Sequence, residues 1–182
     1  MPELNAVGDL VLTEPEAMRA LAHPARLALL DRLRREGPAT PAELAIPGVQ
    51  ADLEALELHN FVEREGERWQ AVGKGVFFEI PDEADGQAAA RRLSSVMLLH
   101  YLDLPRRWVD EQEPGLDVEW ARAAGLFNAR LTLTADELRS MQEALERMLE
   151  PYLTRAPADT PTDAGPVRIL GYFLPEGSSA GR

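Results

Sequence analysis

The chain has 182 residues, 45% of them apolar, and a formal net charge of −12. That length suits one ordinary domain or two small ones, and the apolar fraction supports a packed core and argues against global disorder. Cysteine is absent, so disulfides and thiolate metal sites are excluded, and no apolar run is long enough to cross a bilayer.

Residues 1–12 read as a loose lead-in. Met1-Pro2-Glu3-Leu4-Asn5 lacks the basic start and apolar stretch of a signal peptide, so a soluble, cytoplasmic protein is expected. Thr13 and Glu16 have capping-box spacing and predict a helix over 14–22, with Ala17, Met18, Leu21 and Ala22 inward. His23-Pro24 breaks it, because the residue before proline avoids helical geometry. Pro24 then opens a second helix over 24–35, where its missing N–H costs nothing. Leu27, Leu30 and Leu33 recur there at helical spacing, with Leu29 beside them. Gly37-Pro38 stops it.

Thr40-Pro41-Ala42-Glu43 is a second capping box. Its helix is short, because Pro47-Gly48 ends it near residue 46. The next helix is predicted over 49–60, with Val49, Leu53, Leu56 and Asn60 on one buried stripe. Residues 61–72 read as two short strands turning at Gly66, a β-hairpin. Val76–Ile80 is a further strand, closed by Pro81.

Three runs together carry a resemblance. They are Leu21-Ala22-His23-Pro24-Ala25-Arg26-Leu27-Ala28-Leu29-Leu30, Gly37 to Ala45, and Leu53 to Val62 with the hairpin after it. They resemble the winged helix-turn-helix domain of ArsR-like bacterial transcriptional regulators, over residues 13–80. The resemblance implies a DNA-binding regulator in which helix 49–60 is the reading helix. Two features depart from the family pattern. The turn before that helix is reduced to Ile46-Pro47-Gly48, and the Cys-x-Cys pair of the metal-sensing members is missing.

Residues 83–112 form a long helical pattern bearing Ala88, Leu93, Val96, Met97, His100, Tyr101, Leu104 and Trp108. Pro105 inside it must kink or split it. Its apolar coverage is wide enough for packing on its own domain and on a partner copy, so a homodimer is expected. A short helix over 117–124 follows. Residues 126–133 alternate apolar and polar and read as a strand. Thr134 with Glu137 is a third capping box and opens a helix over 135–153. Residues 154–165 are a Pro-, Asp- and Thr-rich loop, 167–174 a last strand, and 175–182 a loose tail. The expected fold is therefore α+β. A winged-helix domain at 13–80 is followed by a dimerisation helix and a small strand–helix–strand unit, which together make a C-terminal dimerisation or sensing domain over 83–174.

The surface chemistry pulls against the DNA reading. Phosphate contacts need Lys and Arg, and base readout needs residues such as Arg, Asn or Gln. From Glu36 to Glu63 the chain has Glu36, Glu43, Asp52, Glu54, Glu57 and Glu63 and no Lys or Arg. The helix 49–60 presents Gln50, Ala51, Glu54, Ala55 and Leu58 outward. The DNA-contact candidates are Gln50 and His59 on that helix, Arg64 and Arg68 on the hairpin, and Lys74, the only lysine. The alternative is a winged helix that has lost DNA binding and docks on a protein partner through its acidic helix 49–60. His100, Tyr101, Trp108 and Trp120 are candidates for a ligand or interface pocket, although aromatics at such spacings are commonly core. His23, His59 and His100 are too scattered for a metal site. No catalytic motif stands out, so neither an enzyme nor a cofactor is expected.

Overall fold

The computed structural model describes residues 3–5 and 8–176. The chain is mixed α+β, and one hydrophobic core spans Leu10 to Leu93. It begins with a short strand, β1 (Leu10–Leu12), then helices α1 (Pro15–Leu21), α2 (Pro24–Glu36), α3 (Pro41–Leu44) and α4 (Val49–Leu58). A hairpin of β2 (Val62–Glu65) and β3 (Arg68–Ala71) follows, then β4 (Val76–Phe78) and the long helix α5 (Ala84–Tyr101).

The leucine periodicity of α2 places Leu27, Leu29, Leu30 and Leu33 in the core. Val49, Leu53 and Leu56 of α4 meet them there. Each residue of this kind, fully buried, contributes about 1.5–3 kcal/mol. α5 closes the core with Ala89, Ala90 and Leu93 and runs against α1. Small residues are needed where it starts. A Cβ on Gly86 would stand 2.5 Å from Pro81 Cβ.

The hairpin is antiparallel, in the register Val62↔Ala71 to Glu65↔Arg68. Trp69 is its inward anchor. Its backbone N–H donates to Ala39 O at 2.8 Å, and the Ala39 N–H donates back to Trp69 O at 2.9 Å. This bridge ties the hairpin to the turn between α2 and α3.

Several expectations fail here, each for a physical reason. The lead-in is not loose throughout. Leu10 and Leu12 are buried, and β1 pairs in parallel with β4, Leu10↔Val76 to Leu12↔Phe78. The Thr13 capping box does not form: α1 starts after Glu14, which makes no side-chain cap bond, with Pro15 in the first turn. Helix α4 stops at Leu58, and Asn60 is exposed with φ of 58°. Asparagine tolerates that left-handed backbone. The chain turns there, and Phe61 takes the buried place expected of Asn60. The strand expected over 76–80 closes at Phe78.

The helix expected over 83–112 is split. It ends at Tyr101 and resumes as α6 (Leu104–Arg107), with Pro105 in the first turn where it fits. One wide π-type turn (Trp108–Gln112) and a 3-10 turn (Glu113–Gly115) follow. Two further helices are α7 (Val118–Ala123) and α8 (Ala135–Leu153). The capping boxes at Thr40 and Thr134 are both complete. The two strands expected at 126–133 and 167–174 do not form: neither segment makes a backbone ladder among the described residues. The strand–helix–strand unit is therefore reduced to α8 between two segments without regular secondary structure. The expected tail falls at 177–182 outside the described residues.

Candidate nucleic-acid interface

The inward turn of Leu53 and Leu56 fixes what α4 shows outward. Gln50, Ala51, Glu54 and Leu58 are exposed, Leu58 at 76%. Gln50 Nε2 donates to Glu54 Oε1 at 2.8 Å, one helical turn on. Asp52 faces back toward α2, where Arg26 Nε donates to its Oδ1 at 3.0 Å and Arg26 Nη1 donates to Ala20 O at 3.0 Å.

The hairpin brings Arg64 opposite the start of α4. Gln50 and Arg64 line one shallow depression with Thr40, Pro41 and Trp69. Arg64 Nε donates to Gly66 O at 2.8 Å, and its guanidinium lies 5.6 Å from the centre of the Trp69 ring. Its two Nη atoms make no protein hydrogen bond among the described residues. Arg68 is held more firmly: Nη1 donates to Glu43 Oε1 at 3.2 Å and Nη2 to Pro38 O at 2.6 Å. Glu43 is kept ionised, its pKa lowered first by the backbone N–H of Thr40 and further by the charge of Arg68.

The other candidates lie apart. His59 sits at the far end of α4, its ring 6.4 Å from that of Phe61. Lys74 lines a separate depression with Leu33, Arg34 and Gln70. Arg34 donates to Gly75 O at 2.8 Å, and burial lowers its pKa. Arg32 donates to Glu36 and to Leu44 O, and Arg35 donates to Glu36. The arginines of this half are thus largely committed to the protein's own carboxylates and carbonyls, and the outward face of α4 is acidic and apolar.

A second polar cluster forms where α5 ends. The Asp31 carboxylate on α2 accepts from His100 Nε2 at 3.1 Å and from Tyr101 Oη at 3.2 Å. Arg168 Nη1 reaches it at 3.4 Å, and the Arg168 guanidinium lies 5.7 Å from the Tyr101 ring centre. Burial, the Asp31 charge and the Asp31 hydrogen bond together push the Tyr101 pKa up to about 12. His100 and Tyr101 therefore come together, edge-on at 4.8 Å. Trp108 and Trp120 make no ring contact or side-chain hydrogen bond with them among the described residues, and Phe127 is 92% exposed.

Two residues that matter here were not among the sequence candidates, and one of them carried no local signal. Asp31 is one carboxylate among many on α2, and its partners lie 69, 70 and 137 positions away. Trp69 had one: it is the large apolar residue in the alternating run Arg68-Trp69-Gln70.

Among the described residues no group of His, Asp or Glu is placed to hold a metal ion, and no helix is long and apolar enough to cross a membrane. No protein-family model matches the chain, and no curated protein or solved structure matches it.

Proposed function

We propose that this chain is a winged-helix transcriptional regulator of the ArsR-like type, acting in the cytoplasm and contacting DNA weakly. The observation that carries this reading is the arrangement of α2, α3, α4 and the hairpin. α4 lies outward-facing after a capped short helix, and the hairpin is pinned by the Ala39–Trp69 bridge so that Arg64 and Gln50 share one depression. A helix beside a basic-tipped hairpin can address a groove and its flanking phosphates together. Gln50 is the base-edge candidate, and Arg64 and Arg68 are the phosphate candidates. With few cations free, the binding is weak.

The test is a mobility shift with mixed genomic fragments at about 50 mM salt, where phosphate contacts are strong. Retardation that is lost in the double variant Arg64→Ala, Arg68→Ala supports the reading. Failure to retard any fragment at that salt rules out regulation by direct DNA contact.

A second reading is favoured by one observation: Leu58 is exposed beside Glu54 and Glu57, while Arg26 and Arg68 are paired with the chain's own carboxylates. That surface fits a protein partner with a basic rim around an apolar patch. Absence of DNA binding, together with a partner lost on Leu58→Glu, would select it.

A further inference from the structure

After Leu93 no described residue is buried, although this half is rich in apolar side chains. α8 carries Leu138, Met141, Leu145, Met148 and Tyr152 at alternating steps of three and four, the seam spacing of helices that pair. Met148 and Tyr152 are largely exposed. The alternating segments 126–133 and 167–174 keep unpaired backbones, with Phe127, Leu131, Ile169 and Leu174 in solvent. Strand-capable segments with free edges and apolar side chains seek a partner strand.

The area decides the scale of what is missing. The accessible surface is 13207 Å² for 20.1 kDa, whereas a compact monomer of that mass exposes roughly 8,700 Å², so the excess is about 4,500 Å². The undescribed residues contribute at most roughly 1,600 Å² of it. An obligate dimer buries about 2,000–5,000 Å² in total, or roughly 1,000–2,500 Å² per subunit. The remainder, about 2,900 Å² per chain, is somewhat more than the roughly 2,500 Å² per subunit that a large obligate interface removes, so such an interface accounts for most of it.

Within one chain Arg130 of the first segment pairs with Glu176, two residues past the second, and no ladder forms between them. Of the positions flanking the α8 seam, Gln142, Ala144, Leu149 and Pro151 are uncharged and only Glu137, held in the Thr134 capping box, is acidic, so like-charge repulsion between two copies is confined to the start of the helix. Residues 126–176 hold five arginines against eight carboxylates, a small share of the chain's −12.

We infer that a second copy of this chain covers this surface, with segments 126–133 and 167–174 completing a sheet across the two copies and both α8 helices packed on it. A two-fold pairing gives every free edge an identical partner. The inference stands whether or not the chain binds DNA.

Light scattering and amide hydrogen exchange on the full chain test it. The expected mass is twice 20.1 kDa, with amides of 126–133 and 167–174 protected. Ile169→Asp, at an exposed position outside the core, should halve the mass and remove that protection while the amides of α2 and α4 stay protected. Leu145→Glu reads the same on the helix side if Ile169→Asp disturbs folding. A wild-type monomer at every concentration overturns the inference, whether its segments are protected or not. So does a dimer whose two segments exchange freely.

Discussion

Asp31→Asn removes a charge and leaves the side-chain shape. The carboxylate is 15% exposed and receives hydrogen bonds from His100 at 3.1 Å and Tyr101 at 3.2 Å. A carboxylate only accepts, whereas an asparagine amide offers one acceptor oxygen and two donor hydrogens. One partner therefore keeps donating to the amide oxygen, while the other must turn to accept from the amide N–H, and both charge-assisted bonds become neutral ones. Bonds to charged groups are worth about 1.5–3 kcal/mol. Arg168 is half-exposed at 3.4 Å and adds little, since such pairs are worth about 0–1 kcal/mol. The expected loss is about 1–2 kcal/mol, or roughly 2–4 °C in Tm for each kcal/mol in a chain of this size. Urea denaturation at neutral pH measures it.

A second readout is specific to this cluster. Tyr101 titrates at about 12 rather than 10.0. Its folded-state value is raised, so the stabilisation it brings is complete below pH 10 and is lost as pH rises through about 12. Burial is the largest cause, and Asp31 supplies the next two. In Asp31→Asn the tyrosinate absorbance should therefore appear at lower pH than in wild type, still above the ordinary tyrosine value. An unchanged urea midpoint together with an unchanged Tyr101 titration would refute the cluster as described.

Three other outcomes follow from the packing and the charges. Leu53 is fully buried in α4, so Leu53→Ala should cost about 2–5 kcal/mol in denaturant unfolding; a cost under about 1 kcal/mol would contradict the core assignment. Ala45 ends α3 with φ of 52°, so Ala45→Gly should stabilise by about 0.5–1 kcal/mol, the left-handed strain relieved less the backbone entropy of glycine; a lower melting point would show that strain to be absent. Glu43→Gln keeps the capping box, which accepts Gln, but removes the Arg68 ion pair and leaves its bond to Pro38 O. DNA affinity should rise, because Arg68 meets its phosphate without competition from the Glu43 carboxylate; an unchanged affinity would remove Arg68 from the interface.

The sequence exposes periodic features well. Leu27, Leu30, Leu33, Leu53 and Leu56 are core because their spacing leaves no other face for them. The Thr40 and Thr134 capping boxes form because both partners lie within one turn. Non-local pairings are hidden. β1 is three residues long, and its partner β4 lies 66 positions on, a relation that no local pattern encodes. Asp31 is hidden for the same reason. The segments 126–133 and 167–174 have strand alternation, but alternation sets only where side chains point; a strand also needs a neighbour. In the candidate interface, the residues Gln50 and Arg64 were legible from their chemistry and position. That Arg68 is tied to Glu43 and Pro38 was not, because those bonds depend on how the hairpin docks.

The proposed regulator is a winged helix that touches DNA with few cations. The most direct measurement is the equilibrium affinity for genomic fragments across a salt series. With Arg64 and Arg68 as the main phosphate contacts, the log–log slope should lie near −2, at about −0.9 per phosphate. No binding at about 50 mM salt, or a slope as steep as that of a fully basic reading surface, would contradict the account.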